Sequence, residues 1–221
     1  MDLFDLIGPV MIGPSSSHTA GAARIGLTAR LLLGEEVRSA DIMLHGSFAK
    51  TYHGHGTDRA IVGGLLGMAV DDPRLRDSLT IAQESGMEVR FSSISIRGAH
   101  PNTVRLKLTG KAGGQLMMEA ASVGGGNISI NKLNDIHVDF SGKENTLVIH
   151  SVDTPGVVAN VTSCLSQQKI NIATIQLFRR RIGSDVMMVL ELDGTPSELT
   201  MMYLRALEGI TSVVFMQRRG S

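Results

Sequence analysis

Tryptophan is absent from this 221-residue sequence, cysteine occurs once, and 21 lysines and arginines are balanced by 21 aspartates and glutamates. Each shortage excludes something. One thiol forms no disulfide framework within the chain and cannot supply the several thiolates of a zinc or iron–sulfur site. A formal net charge of zero leaves no basic field for a nucleic-acid backbone or an anionic membrane. Apolar stretches such as 61–70 are too short to span a bilayer and are broken by glycine. The first six residues carry Asp2 and Asp5 and no basic segment, which predicts no signal peptide. The expected compartment is the cytoplasm.

What is present points to a folded globular protein. Hydrophobic residues make up 43% and charged residues 19%, outside the range of a disordered chain, and the length suits one large domain or two small ones. The 25 glycines cluster beside serine, histidine and threonine, as in loops where backbone approaches a ligand closely. The 12 methionines with few aromatics suggest adaptable packing and identify no site.

A polar stretch, Ser141-Gly142-Lys143-Glu144-Asn145, separates two halves and predicts domains over 1–140 and 146–221. In the first half the spacing predicts a helix over 17–33 closed by Gly34, a strand over 39–44 and a helix over 58–70. Strands follow at 89–96, 103–109, 115–122 and 128–133, giving an α+β domain with a mixed or antiparallel sheet. The second half reads as strand 146–152, helix 157–168, strands 170–178 and 186–192, helix 197–208 and strand 210–216. That βαββαβ order is ferredoxin-like.

Two constellations carry chemistry. In Gly13-Pro14-Ser15-Ser16-Ser17-His18-Thr19 a run of hydroxyls stands directly before a helix. Unpaired N–H groups and the dipole at such an end suit a carboxylate or phosphate, whereas the plainer alternative is one capping serine with the rest solvated. In His53-Gly54-His55-Gly56-Thr57-Asp58 a histidine flanked by glycines precedes a second helix, where the neutral imidazole needed by a general base is favoured. A metal-binding His-x-His pair lacks a third ligand nearby, and an exposed pair in a flexible turn is the remaining alternative. Weaker signals are Ser122 with Gly124-Gly125-Gly126-Asn127, which either approaches a ligand or tips a hairpin, and His100-Pro101-Asn102, adequate as a turn alone. Arg179-Arg180-Arg181 reads as a solvated strand edge, and Cys164 as a small buried apolar residue.

The segment SVDTPGVVANVTSCLSQQKINIATIQ resembles the ACT domain, a small-molecule regulatory module. That resemblance implies an amino-acid effector held at a dimer interface by residues matching Ser151, Asp153 and Asn171, or a domain used mainly for dimerisation. A His–Asn pair of some serine sensors is replaced here by Ser151 and Asp153.

Over most of the chain, FDLIGPVMIGPSSSHTAGAARIG, HGSFAKTYHGHGTDRAIVGGLLG, HPNT and SVGGGNI resemble the β subunit of bacterial iron–sulfur-dependent L-serine dehydratase (L-serine deaminase). The resemblance implies an N-terminal domain likened to an allosteric substrate-binding domain, paired with an α subunit that carries a [4Fe-4S] cluster. It implies loss of water from L-serine, with the cluster iron as Lewis acid on the hydroxyl, and collapse of aminoacrylate to pyruvate and ammonia. His55 maps to the base, with His53 outside the shared motif, and Ser16, Ser17, His18 and Thr19 map to the substrate carboxylate. The chain alone is then expected to be inactive and to form a homodimer through its ACT half. A non-catalytic sensing or dimerisation module is the alternative.

Overall fold

The computed structural model describes residues 16–179 and 181–218. Gly13-Pro14-Ser15 and Arg180 therefore lie outside the described residues. The chain divides into two compact units, the division running through residues 136–142.

In the first unit, Ser16–Gly21 forms a single π-helical turn that runs into α1 (Ala22–Leu33). The predicted helix over 17–33 thus opens one turn late as an α-helix. At the end of this turn the backbone passes close to Ser122: a Cβ on Gly21 would lie 2.0 Å from Ser122 Oγ. Gly34, left-handed at φ 76°, closes α1 as expected. Strand β1 (Val37–Leu44) leads into a short helix α2 (Gly46–Thr51), then the turn 52–56 and α3 (Thr57–Leu65).

Helix α3 stops five residues before the predicted end at 70. Gly67 at φ 89° lets its own N–H reach the Gly64 carbonyl while Met68 N–H reaches Gly63, which satisfies the last orphan carbonyls. A 3₁₀ turn (Pro73–Asp77) and α4 (Ser78–Glu84) follow, both absent from the sequence reading. Asp72 caps the 3₁₀ turn through Arg74 N–H at 2.9 Å, with Pro73 at the first helical position.

Five further strands complete a six-stranded sheet in the order β2-β1-β3-β4-β5-β6. They are β2 (Glu88–Ser93), β3 (Thr103–Gly110), β4 (Gln115–Gly124), β5 (Asn127–Leu133) and β6 (Ile136–Phe140). β1 pairs parallel with β2 and antiparallel with β3, so the sheet is mixed. Strand β6 is an addition to the predicted set. Its signal was Asn134-Asp135, both left-handed (φ 44° and 66°), a pair that suits a two-residue hairpin turn. Alternating buried residues such as Leu106, Met118 and Ile130 face the helices, of which α1 lies on β3–β5.

The second unit contains β7 (Asn145–Val152), α5 (Val157–Gln167), β8 (Ile172–Arg179), β9 (Asp185–Leu192), α6 (Glu198–Ala206) and β10 (Ile210–Met216). The antiparallel order β10-β7-β9-β8 is that of a ferredoxin-like sheet. Leu147, Ile149, Met188 and Leu190 pack beneath Val157, Val161 and Leu165 of α5 and Leu204 of α6. Apolar residues four apart on α5 form one stripe, which is why this helix settles on the sheet. Among the described residues no helix is long and apolar enough to cross a membrane.

Candidate active site

The two glycine-flanked constellations come together in the first unit. Helices α1 and α3 cross through Gly26 and Gly64, which sets the π turn at the start of one against the turn before the other. His18 and His55 meet there, with ring centroids 5.0 Å apart and planes tilted by 42°. Thr19 is buried, and its hydroxyl lies 3.5 Å from the His55 carbonyl oxygen. It braces the histidine turn from beneath. Ser16 and Ser17 are half-buried at the start of the π turn.

His18 is held on two more sides by α2. Its Nε2 lies 3.2 Å from Ser47 Oγ, and its ring meets the buried Phe48 edge-on at 5.4 Å. Burial first, and the nearby His55 second, push its pKa below the ordinary histidine value, so the neutral ring is favoured.

The turn His100-Pro101-Asn102 forms the far wall of this arrangement. The Pro101 carbonyl accepts from Ser47 N–H at 2.7 Å, and the Asn102 carbonyl accepts from Ser122 N–H at 3.0 Å. Thr103 Oγ1 donates to the His100 carbonyl at 2.7 Å, which closes the turn on itself. Ser122 in turn fills the space above Gly21 of the π turn. A ring of contacts therefore passes from His55 to His18, Ser47, Pro101–Asn102, Ser122, Gly21 and Thr19, and back to His55. Thr57 Oγ1, Asn102 Oδ1 and Ser122 Oγ are buried with no hydrogen-bond partner among the described residues. Each such atom costs about 1–3 kcal/mol, a penalty found where strain or further groups belong to a working site.

His53 and His55 differ sharply in their surroundings. His53 Nδ1 lies 2.9 Å from Oδ2 of Asp58, whose side chain is 6% exposed and whose Oδ1 accepts from Arg59 N–H. The His53 ring lies over Tyr52, with centroids 3.9 Å apart, and is otherwise exposed. His55 is exposed without that carboxylate. The glycine run 124–126 is a hairpin tip whose two central residues, Gly125 and Gly126, have φ 58° and 75°. The Gly126 carbonyl accepts from Arg24 Nη1 at 3.0 Å.

In the second unit, the three residues matched to an effector site do not converge within one chain. Asp153 follows β7 and accepts from Gly183 N–H at 3.0 Å and from Arg179 Nη1 at 3.1 Å. Those partners hold its carboxyl below the usual carboxylate range, the Gly183 N–H most strongly. Asn171 precedes β8 and donates to Asp193 Oδ2 at 2.6 Å. The two stand toward opposite ends of that eight-residue strand, Asp153 beside Arg179 and Asn171 just before Ile172. Ser151 is buried within β7. Asn171 lines a shallow cavity of ≈ 390 Å³ together with Thr162, Ser166 and Lys169.

Among the described residues, no group of three or more histidine, cysteine, aspartate or glutamate side chains is placed to hold a metal ion. Cys164, the chain's single thiol, is partly buried on α5, and burial pushes its pKa up. One thiol cannot supply the several thiolates of an iron–sulfur cluster.

Ser47, Phe48, Asn102 and Ser122 are the site residues that the sequence reading missed or left as turns. Signals existed for all four: Ser47 and Phe48 share the stretch HGSFAKTYHGHGT with His55, and Asn102 and Ser122 fall in the HPNT and SVGGGNI motifs.

The family described as "Serine dehydratase beta chain" matches residues 1–84. The chain is 39% identical over 211 residues to the probable L-serine dehydratase, beta chain, of Bacillus subtilis, covering 96% of both chains. It is 33% identical over 215 residues to the L-serine dehydratase, beta chain, of Peptoniphilus asaccharolyticus, covering 97% of both. Among solved structures, the ACT domain of a Chlorobium tepidum GTP pyrophosphokinase aligns over 32% of this chain and 94% of its own. Its TM-score is 0.28 and its identity 22%, too distant to bear on function.

Proposed function

The chain belongs to the family of L-serine dehydratase beta chains, and on that premise we propose that it supplies the base and one wall of the substrate pocket to an enzyme that converts L-serine to pyruvate and ammonia. The observation that carries this reading is the placement of an exposed imidazole, His55, against the hydroxyl-bearing π turn Ser16–Gly21.

In this reading the L-serine carboxylate lies toward Ser16, Ser17 and the backbone N–H groups at the start of the π turn. His18 walls the pocket, and Thr19 braces the His55 carbonyl. His55 takes the α-proton, the hydroxyl leaves as water, and the resulting aminoacrylate is hydrolysed to pyruvate and ammonia. The partner would be an α subunit bearing a [4Fe-4S] cluster, whose Lewis acidity would assist departure of the hydroxyl. This chain's own share is to bind, orient and accept a proton, so alone it releases no pyruvate. The lone cysteine supports a reducing compartment, the cytoplasm.

A specific observation favours a second assignment of the base. The Asp58 carboxylate orients His53 through Nδ1, which directs Nε2 outward as in an activated acid–base pair. The deciding experiment assembles the chain anaerobically with its partner and follows pyruvate release by His55→Ala and His53→Ala enzymes. Loss with His55→Ala alone supports the first assignment; loss with His53→Ala alone overturns it. Retained turnover in both, with altered serine affinity, points to a sensing module without chemistry.

The second unit is assigned a regulatory and dimerising role. One chain separates Asp153 from Asn171, but a two-fold antiparallel pairing of two β8 edges places Asn171 of one copy beside the Asp153 turn of the other. An amino acid held there would span the interface.

A further inference from the structure

Ser47 is clamped before its hydroxyl does anything. Helix α2 begins at Gly46 with φ 58°, where a Cβ would stand 2.5 Å from the Pro101 carbonyl oxygen. That same oxygen accepts the Ser47 N–H at 2.7 Å, so the Pro101 turn fixes the serine backbone from two directions. The hydroxyl is thereby aimed at His18 Nε2, 3.2 Å away. Phe48, the next residue and fully buried, blocks one edge of the same ring. An imidazole held by a hydrogen bond at one end and an aromatic edge at the side keeps one orientation, here 5.0 Å from His55.

We propose that Ser47 is a positioning residue for the proton transfer, acting through His18 on the space that His55 and the substrate share. This rests on the assignment of His55 as base. When His55 accepts a proton, a pinned and uncharged neighbour adds no repulsion. Without the Ser47 hydroxyl, His18 loses one of the contacts that set its ring beside His55, and the space the two rings share is less firmly defined. The Pro101 turn thus has work beyond its own closure: it sets Ser47, which sets His18.

The test uses the complete enzyme, assembled anaerobically with its partner, and L-serine carrying hydrogen or deuterium at the α-carbon. Ser47→Ala is expected to lower kcat about tenfold or more with KM within about twofold of the parent. The deuterium effect on kcat should rise, because C–H cleavage becomes slower relative to the other steps. Ser47→Thr, which keeps the hydroxyl, should recover most of the loss. A Ser47→Ala enzyme with unchanged kcat overturns the inference. So does a loss that leaves the isotope effect where it was, or one that Ser47→Thr does not repair. If Ser47→Ala fails to assemble, Ser47→Cys, of similar volume and with a weaker hydrogen bond, is judged by the same two readouts. His55→Ala runs in parallel. An active His55→Ala enzyme overturns the base assignment and this inference with it, while an inactive one beside an unaffected Ser47→Ala enzyme overturns the inference alone.

Discussion

Gly26 and Gly64 face each other with no side chain between them. A Cβ on Gly64 would stand 2.9 Å from Gly26 Cα and 2.1 Å from the Ala23 carbonyl oxygen, and one on Gly26 would stand 2.1 Å from the Ile61 carbonyl oxygen. Helices α1 and α3 therefore touch backbone to backbone. The contact sets how far apart their N-terminal ends stand, and those ends carry His18 and His55.

Adding one methyl group at this crossing should be costly. Gly64→Ala and Gly26→Ala are each expected to lower stability by about 1–3 kcal/mol, because neither neighbour is a flexible side chain that can move aside. Urea denaturation measures it. Gly54→Ala, whose Cβ would meet only Thr51 O at an ordinary 3.7 Å, should stay within about 0.5 kcal/mol of the parent.

Asp58→Asn separates the two histidines by chemistry. If His55 is the base, loss of the Asp58 charge should change turnover by less than about tenfold, since that carboxylate serves His53. If His53 is the base, the orienting carboxylate is removed, and losses of about 10⁴-fold have that origin in a hydrolase triad. Steady-state pyruvate release by the assembled enzyme distinguishes the outcomes.

Acid should weaken the fold before any carboxylate titrates. Burial pushes the His18 and His150 pKa values below 6.5; the His55 neighbour adds to the effect at His18, while Asp185 opposes it at His150. Both histidines then bind fewer protons folded than unfolded. Stability from these sites is present above pH 6.5 and is lost as pH falls through the folded-state values. Urea midpoints between pH 7.5 and about pH 5 should show this slope, and His150→Asn should flatten it. A slope unchanged by that substitution would mean the dependence arises elsewhere.

The β8 edge should carry the dimer. Leu177, 51% exposed on an edge strand, lies where an added chain would pair. Leu177→Glu is expected to shift the chain from dimer to monomer in sedimentation equilibrium, and to abolish any L-serine binding that calorimetry detects in the second unit. A Leu177→Glu chain that stays dimeric would move the interface away from this edge.

The second unit is legible in sequence because its apolar spacing is local. Val157, Val161 and Leu165 mark α5, alternation marks the strands, and Gly156 and Gly209 supply left-handed turns at its joints. In the first unit, α2, α4 and β6 escape the same reading, because elements of five to seven residues complete too few periods to declare themselves. The chemistry-bearing motifs were equally visible: hydroxyls before one helix, a glycine-flanked histidine before another, and too few thiols for a cluster.

The sequence by itself determined the order of elements in the second unit, the candidates His18 and His55, and that one thiol cannot supply the several thiolates of an iron–sulfur site. Tertiary structure alone decided that His53 takes the carboxylate, that Ser47 and Pro101 pin His18, and that Asp153 and Asn171 stand toward opposite ends of β8. The physical reason is range. Periodicity and turn residues report forces acting within a few residues, whereas His18 meets Ser47 across 29 positions, and Ser47 meets Pro101 only because α2 begins where the turn into β3 lies. Close approach at glycines, through Gly26, Gly46 and Gly64, brings those distant segments within bonding distance.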